Sequence, residues 1–99
     1  MKTHELDFLE DALKEWRKLD GTIREQFKKK LEERLQNPHV PSARLSGMPQ
    51  CYKIKLRELG YRLVYEVIGQ EVVVVVVAVG KREKSVVYEM AAKRLRQKP

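Results

Sequence analysis

Residues 51–65 read CYKIKLRELGYRLVY, in which apolar and polar residues alternate on both sides of the break Glu58-Leu59-Gly60. Alternation with a period of two predicts β-strands, and two such runs around a short break that contains glycine predict a hairpin. In the first strand, alternate residues form one apolar and one cationic face: Tyr52, Ile54 and Leu56 against Lys53, Lys55 and Arg57. A strand with one apolar and one cationic face predicts contact with a polyanion.

The sequence after the hairpin predicts one more strand and a final helix. Glu71–Val79 contains six consecutive valines, and a β-branched run that is apolar on both sides predicts a central strand covered on both faces. The strands near Tyr52–Arg57, Tyr61–Ile68 and Glu71–Val79 should form an antiparallel meander. The last helix should begin near Ser85, a suitable N-cap, and run to the basic end at Lys98.

The sequence before the hairpin predicts a short strand and two helices. Leu6 and Phe8 alternate with charged neighbours, and apolar residues at helical spacing in Leu9–Leu19 predict the first helix. Thr22-Ile23-Arg24-Glu25 matches a capping box and predicts the start of the second helix, which should end near Asn37-Pro38 before a proline-rich loop. We therefore expect an α+β fold in which a two-helix N-terminal hairpin packs on one face of a mainly antiparallel four-stranded sheet and a C-terminal helix packs on the other.

Composition and charge limit the possible classes of protein. A chain of 99 residues is long enough for one modest core, so we expect a single domain over residues 1–99. The formal net charge is +7, and the whole excess lies in residues 40–99, which favours a nucleic acid or an acidic protein as partner. The single cysteine, Cys51, excludes an internal disulfide, and the longest apolar run, Val72–Val79, is far shorter than the ~20 residues of a membrane-spanning helix. We therefore expect a cytoplasmic protein with no membrane partner.

Three segments of the chain resemble one known family. ALKEWRKLDGTIREQFKKKL, CYKIKLRELGYRLVYEV and VVVVVAVGKREKSVVYEMAAKR occur in the order and spacing of the RelE toxins of bacterial type II toxin–antitoxin systems, within the RelE/ParE superfamily. This resemblance covers nearly the whole chain. It implies the compact RelE-like (microbial RNase-like) fold and a ribosome-dependent endoribonuclease that cuts mRNA in the ribosomal A site and so inhibits translation. It also implies no cofactor, neutralisation by an acidic RelB-type antitoxin, contacts with rRNA, and contact with operator DNA only through that antitoxin.

The same resemblance implies a set of functional residues. Its catalytic positions match the following residues of this chain: Lys53, Lys55, Arg62, Arg82 and Tyr88. The residues that we expect to contact RNA are Arg44, Ser46, Arg57, Lys81 and Lys84. Ser46 departs from the family pattern, because many close relatives carry arginine before the glycine of this loop.

No other set of catalytic residues is evident in the sequence. The two histidines, His4 and His39, lie near the N-terminus and in a proline-flanked loop, so a two-histidine ribonuclease is not expected. One cysteine and two scattered histidines also predict no metal site. Lysine, arginine and tyrosine must then support attack of the RNA 2′-hydroxyl on the adjacent phosphate. This reaction needs a base, stabilisation of the phosphorane charge and an acid for the leaving 5′-oxygen.

Each of these roles has a candidate residue. Clustered cations favour loss of a proton from a lysine, which makes Lys55 the first candidate for the base; the same cations are expected to lower the pKa of Tyr88, the second candidate. Alternative roles for Tyr88 are to orient the 2′-hydroxyl or to stack on a base. Lys53 and Arg62 suit stabilisation of the phosphate charge. Arg82 is expected to hold the scissile phosphate and assist the leaving oxygen.

Two other functions remain open at this point. One is that of a ParE-type toxin, a gyrase poison that shares the fold and is not a ribonuclease; the joint presence of Lys55, Arg62, Arg82 and Tyr88 argues against it. The other is a plain RNA-binding module, which the charge allows but which has no need for Tyr88. Primer extension on translated mRNA separates a ribonuclease from the first alternative. Loss of growth inhibition by a single substitution, with ribosome binding intact, excludes the second.

Overall fold

A first strand is followed by two helices, three consecutive strands and a final helix, which is an α+β arrangement. The computed structural model describes residues 5–69, 73–81, 83 and 86–97. In chain order the elements are β1 Glu5–Phe8, α1 Glu10–Arg17, α2 Gly21–Gln36, the 3-10 turn Pro41–Ala43, β2 Cys51–Leu56, β3 Tyr61–Ile68, β4 Val73–Lys81 and α3 Val86–Arg96. Each predicted helix and strand is therefore present. Several residues named above lie outside the described part of the chain: His4, Glu71, Val72, Arg82, Lys84, Ser85 and Lys98.

The four strands form one sheet in the order β1-β4-β3-β2. β2, β3 and β4 are antiparallel neighbours, which confirms the predicted meander, and β1 pairs with β4 in parallel. The valine strand β4 is therefore central. Val64 pairs with Ala78 and Tyr65 pairs with Val76, so Val77 is the extra residue of a β-bulge. Because of this bulge, Val77 and Ala78 belong to the same hydrophobic cluster, on the side of the sheet that α3 covers.

Helices cover both faces of the sheet, as predicted. α1 and α2 cover one face, where Phe27 and Leu31 of α2 pack in the same core as Tyr65 of β3, and all three are almost completely inaccessible. α3 covers the other face through Val87 and Ala91, which are also buried. None of the described helices is long and apolar enough to cross a membrane.

Several boundaries differ from the sequence predictions, and two of these differences change an interpretation. The capping-box prediction is wrong, because α2 begins at Gly21 after the N-cap Asp20, and this N-cap makes no side-chain hydrogen bond. The carbonyl of Asp20 already accepts a hydrogen bond from the Arg24 amide at 3.0 Å, so Thr22 lies within the first helical turn and cannot take the extended backbone of an N-cap. In addition, β2 ends one residue before Arg57, which lies in the turn to β3 rather than on the cationic strand face.

An ion pair between α3 and α1 lies at the edge of β4. β1 pairs with β4 only as far as Val76, so the next backbone groups of β4 have no strand neighbour on that side among the residues that the structure describes. The Arg94 guanidinium of α3 donates two hydrogen bonds of 2.8 Å to Glu15 of α1 and one of 2.9 Å to the Val77 carbonyl. Glu15 also accepts a hydrogen bond of 3.3 Å from the Val79 amide. The pair therefore satisfies backbone groups of β4 and links α3 to α1, whereas the sequence indicated Arg94 only as part of a basic helix end.

Candidate active site

The hairpin places its cations on the side of the sheet that α3 partly covers. The apolar residues of β2 are buried in the core against α1 and α2: Tyr52, Ile54 and Leu56. Lys53 and Lys55 alternate with them and therefore point to the opposite face. Lys55 is paired with Arg62 across β2 and β3, and Arg62 with Gly80 across β3 and β4. A side-chain carbon on Gly80 would lie 3.5 Å from Cγ2 of Val87, so the first turn of α3 lies directly over this row.

Arg62 and Tyr88 lie at the centre of this face. The guanidinium carbon of Arg62 is 4.9 Å from the centroid of the Tyr88 ring, a cation–π distance. Arg62 Nε and Tyr88 Oη are buried, and neither has a hydrogen-bond partner within the described residues. Such atoms are uncommon in folded proteins, and a catalytic or ligand-binding role is one explanation for them. The face thus brings together four of the predicted catalytic residues, with Lys53 and Lys55 on the neighbouring strand, while Arg82 lies outside the described part of the chain.

The ionisation of Tyr88 differs from the prediction. Burial raises the pKa of Tyr88 above its usual 10.0, and the nearby Arg62 only partly opposes this effect. The expected lowering of the Tyr88 pKa is therefore wrong, because the cost of removing a phenolate from water outweighs its attraction to one cation. Tyr88 is a neutral phenol at neutral pH. It can donate or accept a hydrogen bond there, but it is poorly suited to act as a base.

A hydrogen-bond network holds the edge of β2 beside Lys53. Arg34 of α2 donates from Nη1 to the Lys53 carbonyl at 3.1 Å and to the Tyr65 hydroxyl at 3.0 Å. The Tyr65 hydroxyl donates in turn to the Pro38 carbonyl at 2.7 Å, and the Tyr65 ring stacks on Tyr52 with centroids 5.6 Å apart. Sequence analysis missed Arg34, because only its place in the last turns of a polar helix was visible and its partners are 19 and 31 residues away.

The predicted RNA-contacting residues lie in separate segments. Arg44 and Ser46 are exposed on the loop before β2, which borders a cavity of about 390 Å³. Lys81 is exposed at the end of β4, one residue beyond Gly80, which pairs with Arg62. Arg57 is exposed in the turn after β2 and lines a cleft together with Lys55. Of these residues, Arg57 and Lys81 therefore lie next to the cationic face, whereas Arg44 and Ser46 line a separate cavity.

Sequence comparison relates this chain to characterised toxins. Residues 6–86 match the family model for the ParE toxin of type II toxin–antitoxin system, parDE. The chain is 63% identical over 90 residues to the mRNA interferase toxin RelE of Escherichia coli strain K12, and the aligned region covers 91% of this chain and 95% of that protein. Identity and coverage are the same for the mRNA interferase RelE of Shigella flexneri.

Solved structures of Escherichia coli RelE share the fold. A mutant of that toxin in the free state has a TM-score of 0.87 and 60% identity, with coverage of 95% of this chain and 99% of the other. RelE in the intact Escherichia coli RelBE toxin–antitoxin complex has a TM-score of 0.78 and 62% identity, with coverage of 82% and 99%. The chain therefore belongs to the RelE toxins, within the RelE/ParE superfamily of type II toxin–antitoxin systems.

Proposed function

We propose that this chain is an mRNA interferase, an endoribonuclease that cuts mRNA in the ribosomal A site and so stops translation. The activity is supported by 63% identity to the mRNA interferase toxin RelE over 91% of the chain. The proposed site is supported above all by the stacking of Arg62 on Tyr88, with 4.9 Å between the guanidinium carbon and the ring centroid. Each of these side chains also has a buried polar atom with no hydrogen-bond partner among the described residues. Lys53 and Lys55 provide further positive charge on the same face.

The proposed reaction is attack of the RNA 2′-oxygen on the adjacent phosphorus. The new bond from the 2′-oxygen forms as the bond to the 5′-oxygen breaks, which leaves a 2′,3′-cyclic phosphate and a free 5′-hydroxyl. Lys55 takes the proton of the 2′-hydroxyl. Lys53 and Arg62 stabilise the charge that develops on the phosphorane oxygens, and such preorganised contacts are each worth about 3–4 kcal/mol in rate.

Tyr88 and Arg82 have the two remaining roles in this proposal. A buried, neutral phenol can hold the 2′-hydroxyl by a hydrogen bond or stack on the adjacent base, so Tyr88 orients the substrate and does not remove a proton. The family resemblance assigns Arg82 to the scissile phosphate, where its charge stabilises the leaving 5′-oxygen while that oxygen takes a proton from water to become the free 5′-hydroxyl. Nothing in this scheme needs a metal ion or an organic cofactor.

The ribosome supplies geometry that these side chains cannot provide. Lysine, arginine and tyrosine ordinarily exchange protons far from pH 7, so they are inefficient general acids and bases at neutral pH. The ribosome would hold the codon so that the attacking 2′-oxygen, the phosphorus and the leaving 5′-oxygen lie nearly in line. This alignment removes much of the remaining activation barrier to cleavage. Dependence on the ribosome therefore follows from the residue types at the site.

The proposed inhibitor is an acidic antitoxin of the RelB type. The related Escherichia coli toxin is known in a RelBE complex, and this chain has a net charge of +7 that an acidic partner complements. Contact with operator DNA then occurs only through the antitoxin. Action on translating ribosomes places the protein in the cytoplasm.

A ParE-type gyrase poison is the second candidate function, because the matching family model is that of ParE toxins. Ribosomes that translate a defined message should show primer-extension stops within the A-site codon after addition of the protein. Purified gyrase acting on supercoiled DNA should show no trapped DNA breaks. The opposite pair of results would assign the chain to the gyrase poisons, and negative results in both assays would leave a plain RNA-binding module.

A further inference from the structure

A polar cleft of about 530 Å³ lies between α2 and the edge of β2, next to the candidate active site. The polar and charged residues of its lining are Thr22, Gln26, Lys30, Lys55, Arg57 and Glu58. Three cations against one carboxylate give the cleft a positive excess. Lys55 belongs both to this cleft and to the cationic row with Arg62, so the cleft and the active site are contiguous.

Three residues form a polar row along the α2 side of the cleft. Thr22, Gln26 and Lys30 are spaced four residues apart, so they lie on one face of the helix with about 6 Å between neighbours along its axis. All three are exposed, and Thr22 lines the cleft instead of serving as the N-cap, which is Asp20. A hydroxyl, an amide and an ammonium group in line can bind successive phosphate and sugar oxygens of an extended strand.

We propose that this cleft binds the sugar–phosphate backbone of the message on the 3′ side of the cleaved bond. The inference rests on the proposed function, because it takes the scissile phosphate to lie beside Lys55. On its 5′ side the A-site codon is joined to the preceding codon, which the ribosome has decoded and holds in place. The 3′ side is therefore the flank that is free to cross the edge of β2. Lys30 and Arg57 neutralise its phosphates, and Gln26 contacts its sugar and phosphate oxygens. Such contacts carry no base preference, so the cleft lengthens the bound segment without selecting a codon.

A matched pair of substitutions tests the cleft. Lys30→Gln and Lys29→Gln each remove one positive charge from neighbouring exposed residues of α2, but only Lys30 lines the cleft. The probe is single-stranded RNA with a deoxynucleotide at the cleavage position, which cannot be cut, and its affinity is measured at several salt concentrations. Loss of one phosphate contact should reduce the slope of log affinity against log salt by about 0.7.

We expect this reduced slope and severalfold weaker binding for Lys30→Gln, with no change of slope for Lys29→Gln. Glu58→Gln removes the only carboxylate that lines the described cleft and should strengthen binding. Equal slopes for the two lysine variants, or no gain from Glu58→Gln, would overturn the proposal.

Ribosome-bound messages distinguish mRNA from rRNA as the ligand. One message extends beyond the A-site codon and the other ends directly after it. For the long message, Lys30→Gln should raise the protein concentration that gives half-maximal cleavage, with the saturated rate unchanged; for the short message it should behave as Lys29→Gln. Equal weakening with both messages would assign the cleft to rRNA and overturn the proposal. Failure of the wild type to cut either message would refute the proposed function, while the affinity series on free RNA would still decide on the cleft.

Discussion

Replacing Arg94 with methionine should loosen α3 and slow catalysis while the rest of the fold stays intact. The substitution removes the guanidinium hydrogen bonds to Glu15 and to the Val77 carbonyl. Glu15 then keeps the 3.3 Å hydrogen bond from the Val79 amide. Methionine retains much of the length and the apolar stem of arginine, so the loss of packing should be small.

The expected free-energy cost follows from the burial of the ion pair. The side chains of Arg94 and Glu15 are 14% and 23% exposed. Removing one partner from a fully buried pair costs about 3–5 kcal/mol, whereas an exposed pair contributes less than about 1 kcal/mol. This mostly sheltered pair should therefore contribute ~2 kcal/mol, which corresponds to a roughly 30-fold change in the equilibrium between docked and undocked α3. If the whole fold responds, the same cost lowers Tm by about 10 °C in a domain of this size.

Hydrogen exchange read by mass spectrometry measures this equilibrium directly. Amides of residues 86–96 should exchange about 30-fold faster in Arg94→Met, while those of β3 stay protected. Arg96→Met is the matched control, because Arg96 lies on the same helix and is exposed. Undocking of α3 carries Tyr88 away from Arg62, so the saturated single-turnover rate on ribosomes should fall in Arg94→Met and not in Arg96→Met.

The result that would refute this reasoning is equal protection of α3 in the two variants. Apolar burial of Val87 and Ala91 would then be sufficient to hold the helix, and the ion pair would be a minor contribution. Loss of protection across β3 and β4 as well would mean that α3 and the sheet open together. In that case the effect on cleavage could not be ascribed to Tyr88 alone.

Three further predictions follow from the site. Lys55→Ala and Arg62→Ala should each reduce the saturated single-turnover rate roughly 100-fold or more, with little change in ribosome affinity, because the first removes the proposed base and the second removes charge stabilisation that arises in the transition state; weaker binding at an unchanged saturated rate would contradict these roles. Naked message should be cut far more slowly than the same message on translating ribosomes, and comparable rates would show that ribosome-imposed geometry is unnecessary. Burial raises the pKa of Tyr65 and of Tyr88 above 10.0. The two neutral phenols therefore make their full contribution to the free energy of unfolding below pH 10, and this contribution is lost as the pH rises through their pKa values in the folded state. Urea unfolding at pH 8 and pH 11 should therefore show a smaller loss of stability for Tyr88→Phe than for the wild type, and identical losses would mean that the phenol is not desolvated.

The sequence by itself determined the strands, their order along the chain and the faces of the hairpin. Side chains of a strand alternate strictly between two faces, so the burial of Tyr52 and Ile54 required Lys53 and Lys55 to lie together on the other face. The run of valines likewise required cover on both sides and so predicted a central strand. These features depend on residues that are neighbours in sequence, which is why periodicity was sufficient to predict them.

Only the tertiary structure decided which charged residues support the fold and how the site residues ionise. Glu15 and Arg94 are 79 residues apart, and each looks like an ordinary surface charge on its own helix. They meet because β1 ends early and leaves an open edge of β4, which no local pattern reveals. The pKa of Tyr88 depends in the same way on packing, since burial and the cation of Arg62 act in opposite directions. The sequence indicated only the effect of the cations, because the effect of burial depends on how much water the folded chain excludes from the ring.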